Sequence, residues 1–183
     1  MLKSPHELNI VTLCTGNVAR SVMLGYMLTA LAEANGEDWR IRTAGTHVIE
    51  ESAMSSRTKD ALVAIPEMGE HRYGSHRSHQ LTTDDVLWAD IILTSEAAHV
   101  RFVRTHYPDH GFKAVQLFQF VREAPLDESI ADQLLAVSWD DPSDVFDVED
   151  PAGGDQERYN ECATQLWGLA QAFATLVSSE TFS

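Results

Sequence analysis

The stretch Leu8-Asn9-Ile10-Val11-Thr12-Leu13-Cys14-Thr15-Gly16-Asn17-Val18-Ala19-Arg20-Ser21 decides the fold. Its first six residues form a short apolar, β-branched run, the pattern of a buried strand. Cys14-Thr15-Gly16-Asn17 ends that run in a turn. From Ser21 to Ala34 the period changes. Met23, Met27, Ala30, Leu31 and Ala34 recur at three- and four-residue steps, as on a helix face, and Asn35-Gly36 stops the pattern. Trp39 to Ala44 alternates as a second strand, closed by Gly45.

The same alternation continues outward. Ser55 or Ser56 caps a helix running through Ala64, with Pro66 beyond its end. Tyr73 to Gln80 is irregular and rich in Gly, Ser and His. Thr82 or Thr83 caps a short helix over Asp84 to Leu87. Ala89 to Thr94 is an apolar strand, a helix follows from about Ser95 to His106, and Phe112 to Leu117 is the fourth strand. Tyr159, Cys162, Leu166, Leu169, Phe173 and Leu176 make one apolar stripe along a last helix. Strands alternating with helices give an α/β fold. The expectation is a small doubly wound, four-stranded parallel sheet with about five helices on its two faces, one domain over residues 1–183. The least regular part is Arg122 to Asp150. Leu126 to Val137 is a candidate acidic helix there, and Pro125, Pro142 and Pro151 mark the remainder as loop.

Composition narrows the class. The chain has 183 residues, enough for one core without disulfides or metal. Its 13 basic and 28 acidic residues give a net charge of −15. Nucleic acid and anionic membrane surfaces repel such a chain, so neither is an expected partner. The charge is localised. Glu123 to Glu157 holds 12 acidic residues and no Lys, Arg or His, leaving 16 acidic against 13 basic residues elsewhere. The start is short and broken by Pro5, His6 and Glu7, unlike a signal peptide. No stretch reaches the ~20 apolar residues that cross a bilayer. Two cysteines, Cys14 and Cys162, make no disulfide framework. A cytoplasmic protein is expected, as monomer or weak dimer.

The chemistry concentrates at the end of the first strand. Ligands of doubly wound sheets bind outside the carboxyl ends of the strands. A loop wrapped before a helix N-terminus turns successive N–H groups inward as an anion nest, and that field favours thiolate at Cys14. Gly16 and Asn17 tolerate the positive φ that a tight loop needs. Arg20, separated from Cys14 by five residues, stands at the helix start, where its planar fork suits two phosphoryl oxygens. Ser21 is placed to donate to the sulfur. The pattern reads as a nucleophile under an oxyanion cup, against the plainer reading of a buried core cysteine at a chance spacing. No Gly-Lys-Ser/Thr follows the glycine, which excludes a P-loop nucleotide site, and no Cys-x-x-Cys is present. Breaking a phosphate ester also needs an acid. Two pairs compete, Asp141-Pro142 and Asp150-Pro151. Each is an ordinary turn by itself, and Asp150 is the better candidate only when read together with Cys14.

These residues resemble the low-molecular-weight protein tyrosine phosphatase family. The likeness rests on Leu13 to Ser21, Thr43-Ala44-Gly45-Thr46, His76-Arg77-Ser78-His79-Gln80-Leu81-Thr82, Ala89 to Leu93 and Asp150-Pro151-Ala152-Gly153-Gly154, five segments in order along nearly the whole chain. The resemblance implies that Cys14 attacks phosphorus, Arg20 binds the phosphoryl oxygens, and Asp150 protonates the leaving group and then activates water. It implies that Thr15, Gly16, Asn17, Val18, Ala19 and Ser21 form the phosphate-binding loop, and that Asn17, Ser21, Thr43 and His76 brace it through hydrogen bonds. It implies no cofactor and no metal, and His71, His76 and His79 lack a Cys or carboxylate at a metal-site spacing. A phosphorylated protein or a small aryl phosphate is the implied substrate.

Departures from the family pattern bear on specificity. Ala19 replaces a second cysteine found in many relatives, so a protective disulfide with Cys14 loses its partner, and Cys162 on the helix stripe is expected to be structural. Val22 stands where proline is usual. Ala152 and the loop Thr46 to Glu51 lack the aromatic residues that wall a phosphotyrosine pocket, with His47, Ile49 or Trp139 as possible substitutes. Protein-arginine phosphatases of this fold carry threonine where this chain has Val18, and that favours phosphotyrosine. The alternatives are a protein-arginine phosphatase, a single-cysteine arsenate reductase and a non-catalytic phospho-ligand-binding module. The acidic segment is expected to rim the pocket and turn away acidic phosphopeptides.

Overall fold

The computed structural model describes residues 7–178 except 69, 70, 72 and 127. Pro5, His6 and Asp127 lie outside the described residues. Four parallel strands, β1 (Glu7–Cys14), β2 (Asp38–Gly45), β3 (Ile91–Thr94) and β4 (Ala114–Gln116), form one sheet in the order β2-β1-β3-β4. Seven α-helices accompany them: α1 (Arg20–Asn35), α2 (Ser56–Val63), α3 (Thr83–Trp88), α4 (Ala97–His106), α5 (Leu117–Glu123), α6 (Ile130–Ser138) and α7 (Gln156–Ser178).

The pleat sends alternate residues to opposite faces. Ile10, Ile91, Leu93 and Val115 pack with α1, α5 and α7 in one apolar cluster. Val11, Leu13, Ile92 and Ala114 pack with Val86 of α3 and Val100 and Val103 of α4 in another. Both faces of the central strands are therefore dry, as an all-parallel sheet requires. The chain leaves β1 toward β2 on one side and later returns to β3 on the other. The carboxyl end of β1 thus lies at the topological switch point, where a crevice opens.

Several elements differ from the sequence expectation. β4 covers only Ala114–Gln116, because Pro108–Lys113 coils as a 3-10 helix and Leu117 already begins α5. α5 lies where no element is expected from the sequence beyond Leu117, with Phe120 buried against Phe173. The acidic helix starts at Ile130 rather than Leu126, where Ser129 accepts the Asp132 N–H at 3.2 Å. Ser55 and Thr82 are the caps of α2 and α3. No described helix is long and apolar enough to cross a membrane.

Candidate active site

The loop from Cys14 to Arg20 is shaped by where its carbonyls go. The Cys14 carbonyl accepts the Thr46 N–H at 3.0 Å and the Thr15 carbonyl accepts the His47 N–H at 2.9 Å. The Asn17 carbonyl accepts from His76 Nε2 at 2.8 Å, the Val18 carbonyl from the Thr58 hydroxyl at 2.9 Å, and the Ala19 carbonyl from the Met23 N–H at 2.8 Å. With the carbonyls drawn outward, the loop's N–H groups are left to the concave side, the arrangement of an anion nest. The start of α1 adds to it, since Ala19 provides no side-chain cap and the first-turn N–H groups have no carbonyl four residues back.

Asn17 holds the loop in its bend. Its φ is 53°, the left-handed region that asparagine tolerates better than most residues. Its Nδ2 donates to Ser21 Oγ and to Thr43 Oγ1, both at 2.9 Å, and its Oδ1 accepts the His79 N–H at 2.9 Å. Ser21 Oγ lies 3.0 Å from Cys14 Sγ. Either group can donate across that distance; toward a Cys14 thiolate, which has no hydrogen, the Ser21 hydroxyl is the donor. Thr12 donates to the Ser21 carbonyl at 2.7 Å and fixes the residue from below. His76 lies below its usual proton affinity, chiefly through burial, so it is neutral at neutral pH and its Nε2–H is the donor to Asn17. Gly45 closes the floor. A Cβ there would stand 2.5 Å from the Thr15 carbonyl oxygen and 2.4 Å from Val48 Cγ2.

Arg20 is 1% exposed and carries three acceptors. Its Nη1 donates to Glu96 and, at 2.9 Å, to the Val148 carbonyl, while Nη2 donates to Asp150 Oδ2 at 2.8 Å. Burial works against the guanidinium charge, but Asp150, Glu96 and Cys14 outweigh it and hold its proton affinity above the usual value. Nε–H and one Nη2 hydrogen remain as a fork for an incoming oxyanion. Asp150 is brought to this fork by the acidic segment. Val148 N–H binds the Ser95 carbonyl at 2.8 Å, Asp147 Oδ1 accepts the Ala97 N–H at 2.7 Å, and the Ala152 N–H caps Asp150 Oδ1 at 3.0 Å. Asp141 is elsewhere. With Pro142 it borders a shallow hollow beside Arg101 and Arg104 of α4.

Glu96 and His99 belong to the site although the sequence did not single them out. They begin α4 as a reciprocal cap: Glu96 N–H donates to His99 Nδ1 at 3.2 Å, and the Glu96 side chain accepts the His99 N–H. His99 Nε2 then reaches Thr15 Oγ1 at 2.9 Å. Cys162 is closer to the site than a purely structural reading implies. It lines a cavity of about 110 Å³ with Glu149, Asp150, Arg158 and Glu161, and burial pushes its thiol up to about 12, so it stays protonated. Glu149 pairs with Arg158 there. Of the proposed substitutes for an aromatic wall, His47 packs edge-on to Phe102, Ile49 is 83% exposed on the loop after β2, and Trp139 is exposed at the end of α6. His71 and His79 point to the Met68 carbonyl and Asp85, and among the described residues no metal-ligand cluster forms.

The family model described as low molecular weight phosphotyrosine protein phosphatase matches residues 9–181. The chain belongs to this family. Among curated relatives it is 27% identical over 171 residues to a protein-arginine-phosphatase of Geobacillus stearothermophilus, covering 93% of this chain and 97% of that protein. It is 25% identical over 167 residues to a protein-arginine-phosphatase of Bacillus subtilis, covering 91% and 95%. Among solved structures, a low molecular weight protein tyrosine phosphatase from T. tengcongensis superimposes with a TM-score of 0.74 at 28% identity, over 92% of this chain and 98% of that one. The chain is a cysteine-dependent phosphatase by family, and its relatives divide between phosphotyrosine and phosphoarginine.

Proposed function

We propose that the protein hydrolyses phosphorylated arginine side chains through a cysteinyl-phosphate intermediate. The observation that carries the chemistry is the loop with its carbonyls bonded outward, the Cys14 sulfur beneath it and the Arg20 fork at its side. In the first step the Cys14 thiolate attacks phosphorus as the P–N bond breaks. The Asp150 carboxyl supplies the proton that the departing guanidine nitrogen needs. The oxyanion charge of the transition state falls on the inward N–H groups and on the Nε–H and Nη2–H of Arg20. In the second step the Asp150 carboxylate takes a proton from water, the water oxygen bonds to phosphorus, and the P–S bond breaks. Ser21 donates to the leaving sulfur, and Asn17, Thr43 and His76 keep Ser21 in place. Thr15, Gly16, Val18 and Ala19 serve through their main-chain N–H groups.

Substrate choice rests on the rim. Ala152 offers no ring to stack on, and beside Asp150 a small cavity carries the carboxylates of Glu149, paired with Arg158, and Glu161. A guanidinium product suits such a rim better than a phenol does. Both curated relatives named above are arginine phosphatases. One observation favours phosphotyrosine instead: Val18 occupies the loop position where threonine was expected for arginine specificity. The test is turnover of phosphoarginine, phosphotyrosine and arsenate by the reduced full chain. A kcat/KM at least tenfold higher for phosphoarginine supports the proposal. A preference for phosphotyrosine selects the second reading, thiol-dependent arsenate reduction alone selects a reductase, and phosphate binding without turnover a binding module.

A further inference from the structure

The phosphate loop is held at its two ends by one short element outside it. Thr15 is the first residue after the sulfur, and Arg20 is the first residue of α1. Both side chains reach the first turn of α4. His99 Nε2 bonds Thr15 Oγ1 at 2.9 Å, and Glu96 accepts from Arg20 Nη1. Glu96 and His99 are in turn locked to each other by the reciprocal cap that starts the helix. Within that cap His99 Nδ1 accepts the Glu96 N–H, so the neutral ring carries its hydrogen on Nε2 and donates to Thr15. The Thr15 carbonyl is separately tied to the His47 N–H, so the Thr15 residue is fixed through both its side chain and its main chain.

We propose that Glu96 and His99 act as a single positioning unit that sets Thr15 and Arg20 in one frame for oxyanion binding. The proposal rests on the phosphatase reading of the site. The bond by which His99 reaches the loop is to the Thr15 hydroxyl, so it acts through Thr15. Holding donors in the transition-state geometry matters because a shift of about 1 Å in such a group costs roughly a hundredfold in rate. The ring is suited to a fixed donor role. It is 2% exposed, and burial keeps its proton affinity down at about 4, with Arg20 and His47 acting in the same direction against Glu96 and Asp150.

Two substitutions separate the two hydrogen bonds of the ring. His99→Asn keeps an acceptor for the Glu96 N–H and loses the donor to Thr15. His99→Gln keeps a donor that reaches Thr15 and loses the acceptor. Inorganic phosphate binding by calorimetry on the full chain is the readout, with Tm measured in parallel. His99→Asn is expected to weaken phosphate binding about tenfold with little change in Tm. His99→Gln is expected to stay within about threefold of wild type. In a Thr15→Val background, His99→Asn is expected to add almost no further loss. Wild-type binding undiminished in His99→Asn overturns the positioning unit and leaves the phosphatase reading standing. So does a full additional loss in the Thr15→Val background, or a loss in both His99 variants that merely follows a fall in Tm. Absence of phosphate binding by the wild-type chain overturns the phosphatase reading, and the positioning unit with it.

Discussion

Arg20 Nη2 and Asp150 Oδ2 are 2.8 Å apart, so the proposed phosphoryl clamp and the proposed acid form one ion pair. The pair joins residues 130 positions apart and lies at the rim of a nearly buried guanidinium. An arriving phosphoryl group competes for the same charge. Its oxygens take the free edge of Arg20 and weaken the pair, and Asp150, once it has taken a proton from solvent, stands beside the leaving group as the acid.

Asp150→Asn tests that division of labour. The variant keeps a side chain of the same size but neither donates nor takes a proton. Its kcat is expected to fall by about 10²- to 10⁴-fold, the usual contribution of a positioned acid–base group. Phosphate binding is expected to hold or tighten, because a negative charge leaves the Arg20 fork. Steady-state kinetics together with phosphate calorimetry check both. The matching Asp141→Asn variant, on the flank of α4, should leave kcat unchanged.

Ser21→Ala removes the hydroxyl 3.0 Å from Cys14 Sγ and leaves Asn17 Nδ2 bonded to Thr43. The sulfur then departs without a donor. Breakdown of the phosphorylated enzyme should slow by about tenfold or more, in line with one hydrogen bond to a charged leaving group of at least ~1.5 kcal/mol. Rapid-quench kinetics should show a burst of the first product followed by a slower steady state.

Asn17→Ala addresses the loop's stability. It removes donors to Ser21 and Thr43 and the acceptor for the His79 N–H, and places alanine at a φ of 53°. Three hydrogen bonds at about 1 kcal/mol each and the left-handed penalty give a loss of roughly 3–5 kcal/mol in unfolding free energy. Urea denaturation measures it.

The β1–loop–α1 unit is legible in the sequence because each of its signals is local: the β-branched run, the Gly-Asn turn, the helical spacing and the Gly36 stop, which adopts φ 69° as a left-handed cap. The last helix is legible through its long stripe. Asp150 is preferred over Asp141 in the sequence only through Cys14 and the family resemblance; what brings Asp150 to Arg20, the docking of Val148 and Asp147 at the start of α4, is not visible there. Glu96 and His99 were not legible. A carboxylate followed three residues later by histidine is an available cap signal, but it lacks the Ser/Thr and Glu/Gln types by which such a box is usually recognised. α5 is not legible because its seven residues, four of them apolar, are too few to show a helical period. Substrate reads toward phosphotyrosine from the family resemblance and from Val18, while the missing aromatic walls and both curated relatives named above favour phosphoarginine.

His99 predicts a pH dependence of stability. Its unfolded ring takes up a proton near the usual 6.5, and the folded ring only near about 4. Between those values the unfolded chain binds more protons, so stability is complete above about pH 6.5 and falls as the pH drops toward 4. The loss attributable to this one ring is about 3 kcal/mol by the bottom of that window. Arg20, Glu96, Asp150 and His47 all face the ring and shape the same interval. Urea midpoints between pH 7 and pH 4 should fall more steeply for the wild type than for His99→Gln, which has no imidazole to titrate.

Intact-protein and peptide mass spectrometry after rapid acid-free quenching tests the central claim most directly. The account predicts one phosphoryl group on the peptide containing Cys14 during turnover of phosphoarginine, more of it in Ser21→Ala, and none in Cys14→Ser together with loss of turnover. Turnover that survives in Cys14→Ser, or hydrolysis by the wild type with no phosphoryl group on Cys14 at any time, would contradict it.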